Sequence, residues 1–377
     1  MACHWRLTEE LSGLILTAAK TMSSTMYLTL GQTLADPTGF FWWLNNTLNS
    51  VLVLNACNRA GLFALLGDMP QTVEELSAGC GIPPDKLARL LYFLAAEEVI
   101  TLLPDGRVMG TNVSRLLPGM QPLLDIKMHG MEAGFPLYEA LVQGRTSYEV
   151  RFGKPVFPYM AAHSELAASF SAFMAHLSRL VEEFVFTQHA FQPFAVAVDI
   201  GGNHGGLLMK LLDQYPGTRG ILFDLPEVTA MVADAVTSAP LGNKVELVGG
   251  DFFQAVPAAD LYLLKMILHD WNDAECITIL KNIRKVMNPG ARVTVIDCVM
   301  PETPRPHYGN AMDIAMMVWT TGKERKLSEF KALFASAGLI LDRVTENPAG
   351  QSVVEAVAVW DSDIQAGEGH EARSGTT

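Results

Sequence analysis

The sequence predicts an α/β fold: a parallel β-sheet wrapped by helices, preceded by a mostly helical segment that ends in a hairpin. Three observations carry this. From residue 195 onward, short apolar runs alternate with amphipathic helical stretches, the rhythm of parallel strands linked through helices. The first run, "VAVDIGGNHGG", breaks into a glycine turn just ahead of the helix "LLMKLLDQY". Between 50 and 115, two helical stretches give way to "ITLLPDGRVMGT", two short strands around Asp105-Gly106.

In chain order, residues 1–45 are apolar and helix-prone. The run "GFFWWLNN" would leave Phe40, Phe41, Trp42 and Trp43 exposed on a monomer, so it is expected either in a subunit interface or packed on the protein's own next helix. Thr72 and Glu75 are spaced as a capping box, and "PPDKLARLLYFLAAEEVI" opens a helix with prolines in its first turn. With the hairpin, this is a winged-helix arrangement, and residues 1–120 are expected to form a dimerisation domain. Residues 121–190 are expected to be connecting helices, and 191–360 the α/β domain. The small polar tail 361–377 is expected to be disordered.

Composition limits the partners. Hydrophobic residues make up 49% of 377 and charged residues 18%, a globular profile. A net charge of -13 disfavours nucleic acid, and the recognition-like helix carries Asp85, Glu97 and Glu98 beside Lys86 and Arg89. No eighteen-residue apolar window exists, so no membrane span is expected. Five scattered cysteines without C-x-x-C spacing suit free thiols in a reducing cytoplasm and argue against a metal site.

The chemistry lies at strand ends. Gly201, Gly202 and Gly205 allow close approach of a ligand to a helix N-terminus. Asp224 ends the next strand, nineteen residues after Gly205, where an acid suits two ribose hydroxyls. Asp251 ends the strand after that. Asp199, directly before the glycine turn, would repel a pyrophosphate but suits a cationic amino-acid group. S-adenosylmethionine has a ribose, an ammonium and a sulfonium and no phosphate, so methyl transfer ranks ahead of hydride transfer. A nicotinamide-dependent oxidoreductase stays open as the competing reading.

From about 50 to 358 the sequence resembles the small-molecule O-methyltransferases of the caffeate and acetylserotonin type. The matching stretches are "VDIGGNHGGLLMKLLDQYPGTRGILFDLPEV", "VELVGGDFFQAVPAADLYLLKMILHDWNDAECITILKNI" and "GKERKLSEFKALFASAGL". The resemblance implies a Rossmann-like catalytic domain, an N-terminal winged-helix domain that forms a homodimer, and S-adenosylmethionine as donor with S-adenosylhomocysteine as product. Carried over by position, it implies that Gly201, Gly202, Asp224, Leu225, Gly250, Asp251, Phe252 and Lys265 hold the donor. It further implies that His269 is the catalytic base, that Asp297 and Glu324 steady it, and that Asp270 lies near the acceptor. Phe170, Met174 and Met316 fall near acceptor-lining positions.

Two departures stand out. Asn203 replaces a usual third glycine, and Asn tolerates positive φ. Asp297 replaces a usual Glu, shortening the reach to the imidazole by one methylene. The expected function is methyl transfer to a hydroxyl of an aromatic small molecule, with no metal. The alternative is a donor-binding protein that has lost catalysis. Each residue also has a plain reading: Lys265 as a side chain snorkelling from its strand, Asp270 as the cap of the next helix, and Asp297 and Glu324 as solvated loop acids. The run "LLKMIL" reads as a strand carrying "HDW" at its working edge.

Overall fold

The computed structural model describes residues 37–347 and 350–358, with side chains from 46 onward except that of Leu180. The expectations for 1–36, for the side chains of Phe40–Trp43 and for the tail 361–377 lie outside the described residues. The described residues divide into two compact units: 37–136 together with 157–174, and 137–156 together with the described residues from 175 on.

In the N-terminal unit, helix Pro37–Arg59 is followed by Leu62–Leu65, Val73–Cys80 and Pro84–Ala96, then by β1 (Ile100–Leu102) and β2 (Val108–Gly110). Thr72 and Glu75 close the expected capping box: the Thr72 hydroxyl accepts from the Glu75 amide, and the Glu75 carboxylate accepts from the Thr72 amide at 2.8 Å. Pro83 and Pro84 begin the next helix, where a missing N–H costs nothing. That helix buries Leu87, Leu91 and Leu94, one face at helical spacing, against Leu62, Phe63 and Leu76. β1 and β2 pair antiparallel, Ile100 opposite Gly110, with Gly106 at φ 81° in the turn between them.

The larger unit is built on an eight-stranded sheet. Strands β3 (Val196–Ile200), β4 (Arg219–Asp224), β5 (Val245–Gly249), β6 (Leu261–Lys265) and β7 (Arg292–Met300) run parallel, in the order β5-β4-β3-β6-β7. Helices such as Gly206–Gln214, Pro226–Ser238 and Asp273–Val286 link them. Because helices pack on the sheet, the central strands read as unbroken apolar runs; Leu261 to Leu264 are all buried. Strand order reverses between β3 and β6, which opens a crevice at their carboxyl ends, the place where open α/β sheets bind ligands.

Three further strands go beyond the parallel sheet that the sequence rhythm predicts. β8 (Arg325–Lys326) pairs parallel with the end of β7, Val299 opposite Arg325. β9 (Leu339–Thr345) and β10 (Gln351–Ala358) add antiparallel to the sheet, β10 lying between β7 and β9. One expectation is corrected: "LLKMIL" is not strand throughout. β6 ends at Lys265, Met266 takes φ 56°, and Leu268–Asp270 form one turn of 3₁₀ helix. That turn keeps Leu268 and His269 buried, which a continuing strand would not do on one face.

Candidate active site

The crevice begins where β3 ends. Gly201, at φ 67°, donates its N–H to the Phe223 carbonyl at 2.8 Å, folding the turn back over β4. A Cβ at Gly201 would lie 2.5 Å from Ile267 Cδ1, and one at Gly202 would run into Leu222 and sit 2.8 Å from Asp199 Cγ. No side chain fits at either position. Asn203 takes φ 48°, so it fills the third glycine's place in the left-handed region that Asn tolerates. Its amide donates to Asp224 Oδ2 at 2.9 Å, while the Leu225 amide donates to Oδ1 at 2.8 Å. Burial raises the Asp224 carboxyl above its ordinary range against these two bonds.

Asp199 is buried and its Oδ2 has no hydrogen-bond partner. Burial pushes its carboxyl up to about 7, with Lys265 pulling the other way. The Lys265 ammonium donates to Ser178 Oγ and therefore does not snorkel into bulk water. A buried, underused anion beside a cation and a side-chain-free turn fits a zwitterionic amino-acid group.

On the far side of β4, Gly250 donates to the Asp224 carbonyl at 2.9 Å, and a Cβ there would meet the Phe223 ring at 2.6 Å. Asp251 Oδ1 accepts from the Phe253 amide at 2.8 Å. Phe252 stands edge-on to Trp271, ring centroids 5.8 Å apart at 78°. Asn282, buried on Asp273–Val286, donates to the carbonyls of Phe252 and Phe253, both at 2.9 Å, and fixes this corner.

His269 is buried, and its Nδ1 lies 2.9 Å from Glu324 Oε1. Its Nε2 is 3.8 Å from Asp270 Oδ1, beyond a hydrogen bond. Burial opposes charge on this ring, yet Asp270 foremost, then Glu324 and Asp297, outweigh it and push the imidazole up to about 10. Glu324 is itself positioned: its amide donates to Asp313 Oδ1 at 2.9 Å, and Asp313 lies on helix Tyr308–Trp319.

The other expected partner behaves differently. Asp297 is buried in β7, but neither of its carboxylate oxygens has a hydrogen-bond partner. Burial drives its carboxyl up to about 7. It reaches the imidazole through charge alone, consistent with a side chain one methylene short. Neither it nor Glu324 is a solvated loop acid. Asp270 does not cap the next helix either; Asn272 does, with Glu275 completing the box.

Met316 is buried on Tyr308–Trp319, three residues before Trp319, whose ring lies 5.5 Å from that of buried Tyr148. Phe170 and Met174 lie on helix Ser164–Gln188, in the stretch that goes with the N-terminal unit. Three residues that sequence reasoning passed over also shape the site: Asp313, Gly322 and Arg325. A Cβ at Gly322 would collide with the His269 carbonyl, so the 319–325 loop approaches the histidine turn only through a glycine. The motif "GKER" pointed to Glu324, but an adjacent Arg reads as an exposed ion partner, and its burial was not legible. No group of His, Cys, Asp or Glu among the described residues could hold a metal ion.

The chain is similar to known proteins over most of its length. An O-methyltransferase domain model matches residues 136–340. A phenazine O-methyltransferase of Lysobacter antibioticus is 36% identical over 307 residues, 79% of this chain and 89% of that protein. The 8-amino-8-demethylriboflavin N,N-dimethyltransferase of Streptomyces davaonensis is 31% identical over 81% of this chain and 90% of its own length. Among solved structures, an O-methyltransferase of neocarzinostatin biosynthesis, crystallised with S-adenosyl-L-homocysteine and 1,4-dihydroxy-2-naphthoic acid, superimposes with a TM-score of 0.71 at 27% identity, covering 82% of this chain and 96% of that one.

Proposed function

We propose, from the premise that this chain belongs to the O-methyltransferase family and is S-adenosylmethionine-dependent, that it methylates a hydroxyl of an aromatic small molecule with His269 as general base. The observation that carries this reading is the direction of the imidazole. Glu324, an acceptor when ionised, takes the Nδ1–H at 2.9 Å, which leaves the neutral ring's lone pair on Nε2. Nε2 has no partner within hydrogen-bond distance, its nearest carboxylate oxygen being 3.8 Å away. The pair thus has the orientation of a base and its orienting acid.

When bound, S-adenosylmethionine supplies an electrophilic methyl group on a sulfonium. Gly201 and Gly202 let the backbone meet its amino-acid end, with Asp199 receiving the ammonium and Lys265 the carboxylate. Asp224 and Leu225 take the ribose, and Gly250, Asp251 and Phe252 the adenine. A phenol with a pKa of about 10 keeps its proton at neutral pH, so His269 removes it as the oxygen attacks, in the neutral form that the cationic donor favours over the protonated ring of the ligand-free crevice. Asp270 and Met316 border the acceptor. The N-terminal unit, with Met69 and Tyr92 exposed, forms the homodimer. Free described cysteines and no helix long and apolar enough to cross a membrane among the described residues support a cytoplasmic site of action.

The test is a panel of phenolic and heteroaromatic acceptors with methyl-labelled donor, run beside His269→Gln. Turnover is expected to fall roughly 10²–10⁴-fold in the variant, while S-adenosylhomocysteine affinity by calorimetry changes less than about twofold. Undiminished turnover in His269→Gln would refute the assignment.

A further inference from the structure

Arg325 is 1% exposed, the largest fully buried side chain among the described residues, yet no step of the reaction uses it. Its guanidinium reaches the turn that carries the base. Nη1 donates to the Leu268 carbonyl at 2.7 Å and Nη2 to the Trp271 carbonyl at 2.7 Å, the residues just before and just after His269-Asp270. Nε and Nη2 also donate to Asp273 Oδ1 at 3.0 and 2.9 Å, so the buried charge is paired. The Leu268 carbonyl accepts a second bond, from Cys276 Sγ at 3.2 Å.

The place of Arg325 in the chain gives these bonds a meaning. It follows Glu324 directly, and Arg325 is the residue of β8 in register with Val299 of β7. One backbone step therefore carries both the carboxylate that bonds Nδ1 and the fork that holds the backbone on either side of the imidazole. The loop leading into this strand closes on the same turn, because Gly322 leaves room for the His269 carbonyl. Met266, at φ 56°, has just broken β6, and its amide donates to the Ile296 carbonyl at 2.9 Å, the last tie to β7 before the turn. A short turn after a strained residue is not held by a sheet. It is held from outside.

We propose that Arg325 is a positioning residue for methyl transfer: its guanidinium ties both ends of the 268–271 turn to the strand that carries Glu324, and so sets the separation of His269 from its carboxylate partner. The inference rests on the proposed role of His269 as base. A planar fork spans two carbonyls and one carboxylate at fixed angles, which an ammonium cannot do.

The experiment uses the full chain with ¹⁵N-imidazole histidine. In the wild type the Nδ1–H of His269, bonded to a carboxylate, gives a low-field proton signal, assigned by its loss in His269→Gln. Arg325→Lys is expected to lower kcat about 10²-fold, the scale of a misplacement near 1 Å, for whichever phenol of the acceptor panel turns over fastest. The low-field signal should weaken or vanish, and S-adenosylhomocysteine affinity should stay within about twofold. Asp273→Asn, which keeps the fork and removes its anion, should do the same to a smaller degree; it carries the test if Arg325→Lys does not fold. A lower Tm with unchanged kcat and unchanged signal in the folded variants overturns the proposal, because a merely structural residue would behave that way. The two readings fail separately. Full turnover in His269→Gln removes the base, whereas lost turnover there beside wild-type kcat and signal in Arg325→Lys removes the clamp alone.

Discussion

Of the three carboxylates around His269, Glu324 and Asp297 are the expected grips, and their surroundings separate their work. Glu324 gives one oxygen to Nδ1 at 2.9 Å, while both oxygens of Asp297 lie buried without a partner. Removing the first leaves the tautomer unfixed; removing the second takes away a charge held at a cost. Glu324→Gln is therefore expected to reduce kcat roughly 10²–10⁴-fold. It should also move the acid limb of kcat/KM, where the base gains its proton, to lower pH, since Glu324 is among the groups that raise the imidazole. Asp297→Asn should cost less than about tenfold in kcat and raise Tm at pH 8, because it removes a charge that burial disfavours. Equal losses in the two variants, or a lower Tm in Asp297→Asn, would restore Asp297 as the second grip. The sequence pointed to both acids but could not rank them. One methylene decides whether a carboxylate reaches the ring, and that depends on the register of β7 against the histidine turn, which no local pattern encodes.

At the scale of elements, the glycine turn after β3 is set by what packs behind it. A methyl at Gly202 would meet Leu222 and Asp199 at once, from the strand behind and the strand that feeds the turn. Gly202→Ala is expected to lose about 1–3 kcal/mol through overpacking and to weaken S-adenosylhomocysteine binding at least tenfold, measured by denaturation and calorimetry. Asn203→Gly should leave that affinity within about twofold, because φ 48° is open to both residues. A large loss in Asn203→Gly would mean that the Asn side chain, not its backbone, meets the ligand. Strands β3, β4, β5 and β7 and the capping box at Thr72 were legible because period, length and turn chemistry agree there. The end of β6 was not. An apolar run looks the same as a strand or as a buried turn, and only the φ 56° of Met266 divides them. β8 to β10 escaped for another reason. β10 carries Glu355, fully buried, whose charge is met by Arg343 at 2.6 Å and by His189 at 3.3 Å. A carboxylate inside a strand reads as a surface residue until its distant partners are seen.

Across the molecule, the perturbed acids divide by the direction of their shift, and the division predicts how the ligand-free protein responds to pH. Glu355, Asp260, Asp273 and Glu329 are held below their ordinary range by Arg343, His189, Asn288, Arg325, Lys323 and backbone amides, against burial. Each stabilises the fold above the ordinary carboxylate range and loses that contribution as pH falls through its lowered value. Asp199, Asp270 and Asp297, all at the crevice edge of the sheet, are displaced upward by burial, to about 7, about 6 and about 7. For these the folded state favours the neutral form, so stability falls as pH rises from the ordinary carboxylate range to those values. His269 adds to the same trend. Its raised pKa gives stability present below the ordinary imidazole value and lost as pH climbs toward about 10. The Tm of the ligand-free chain should thus peak on the acid side of neutrality and decline steadily between about pH 6 and 9, unlike a protein whose carboxylates are mostly paired. In Asp297→Asn the decline should be shallower, and the variant's advantage over the wild type should shrink toward pH 5. Scanning calorimetry across buffers of equal ionic strength reads both slopes. A wild-type Tm that rises through neutrality would mean that the three crevice acids are ionised at little cost, and the electrostatic case for a cation-binding crevice would fall with it.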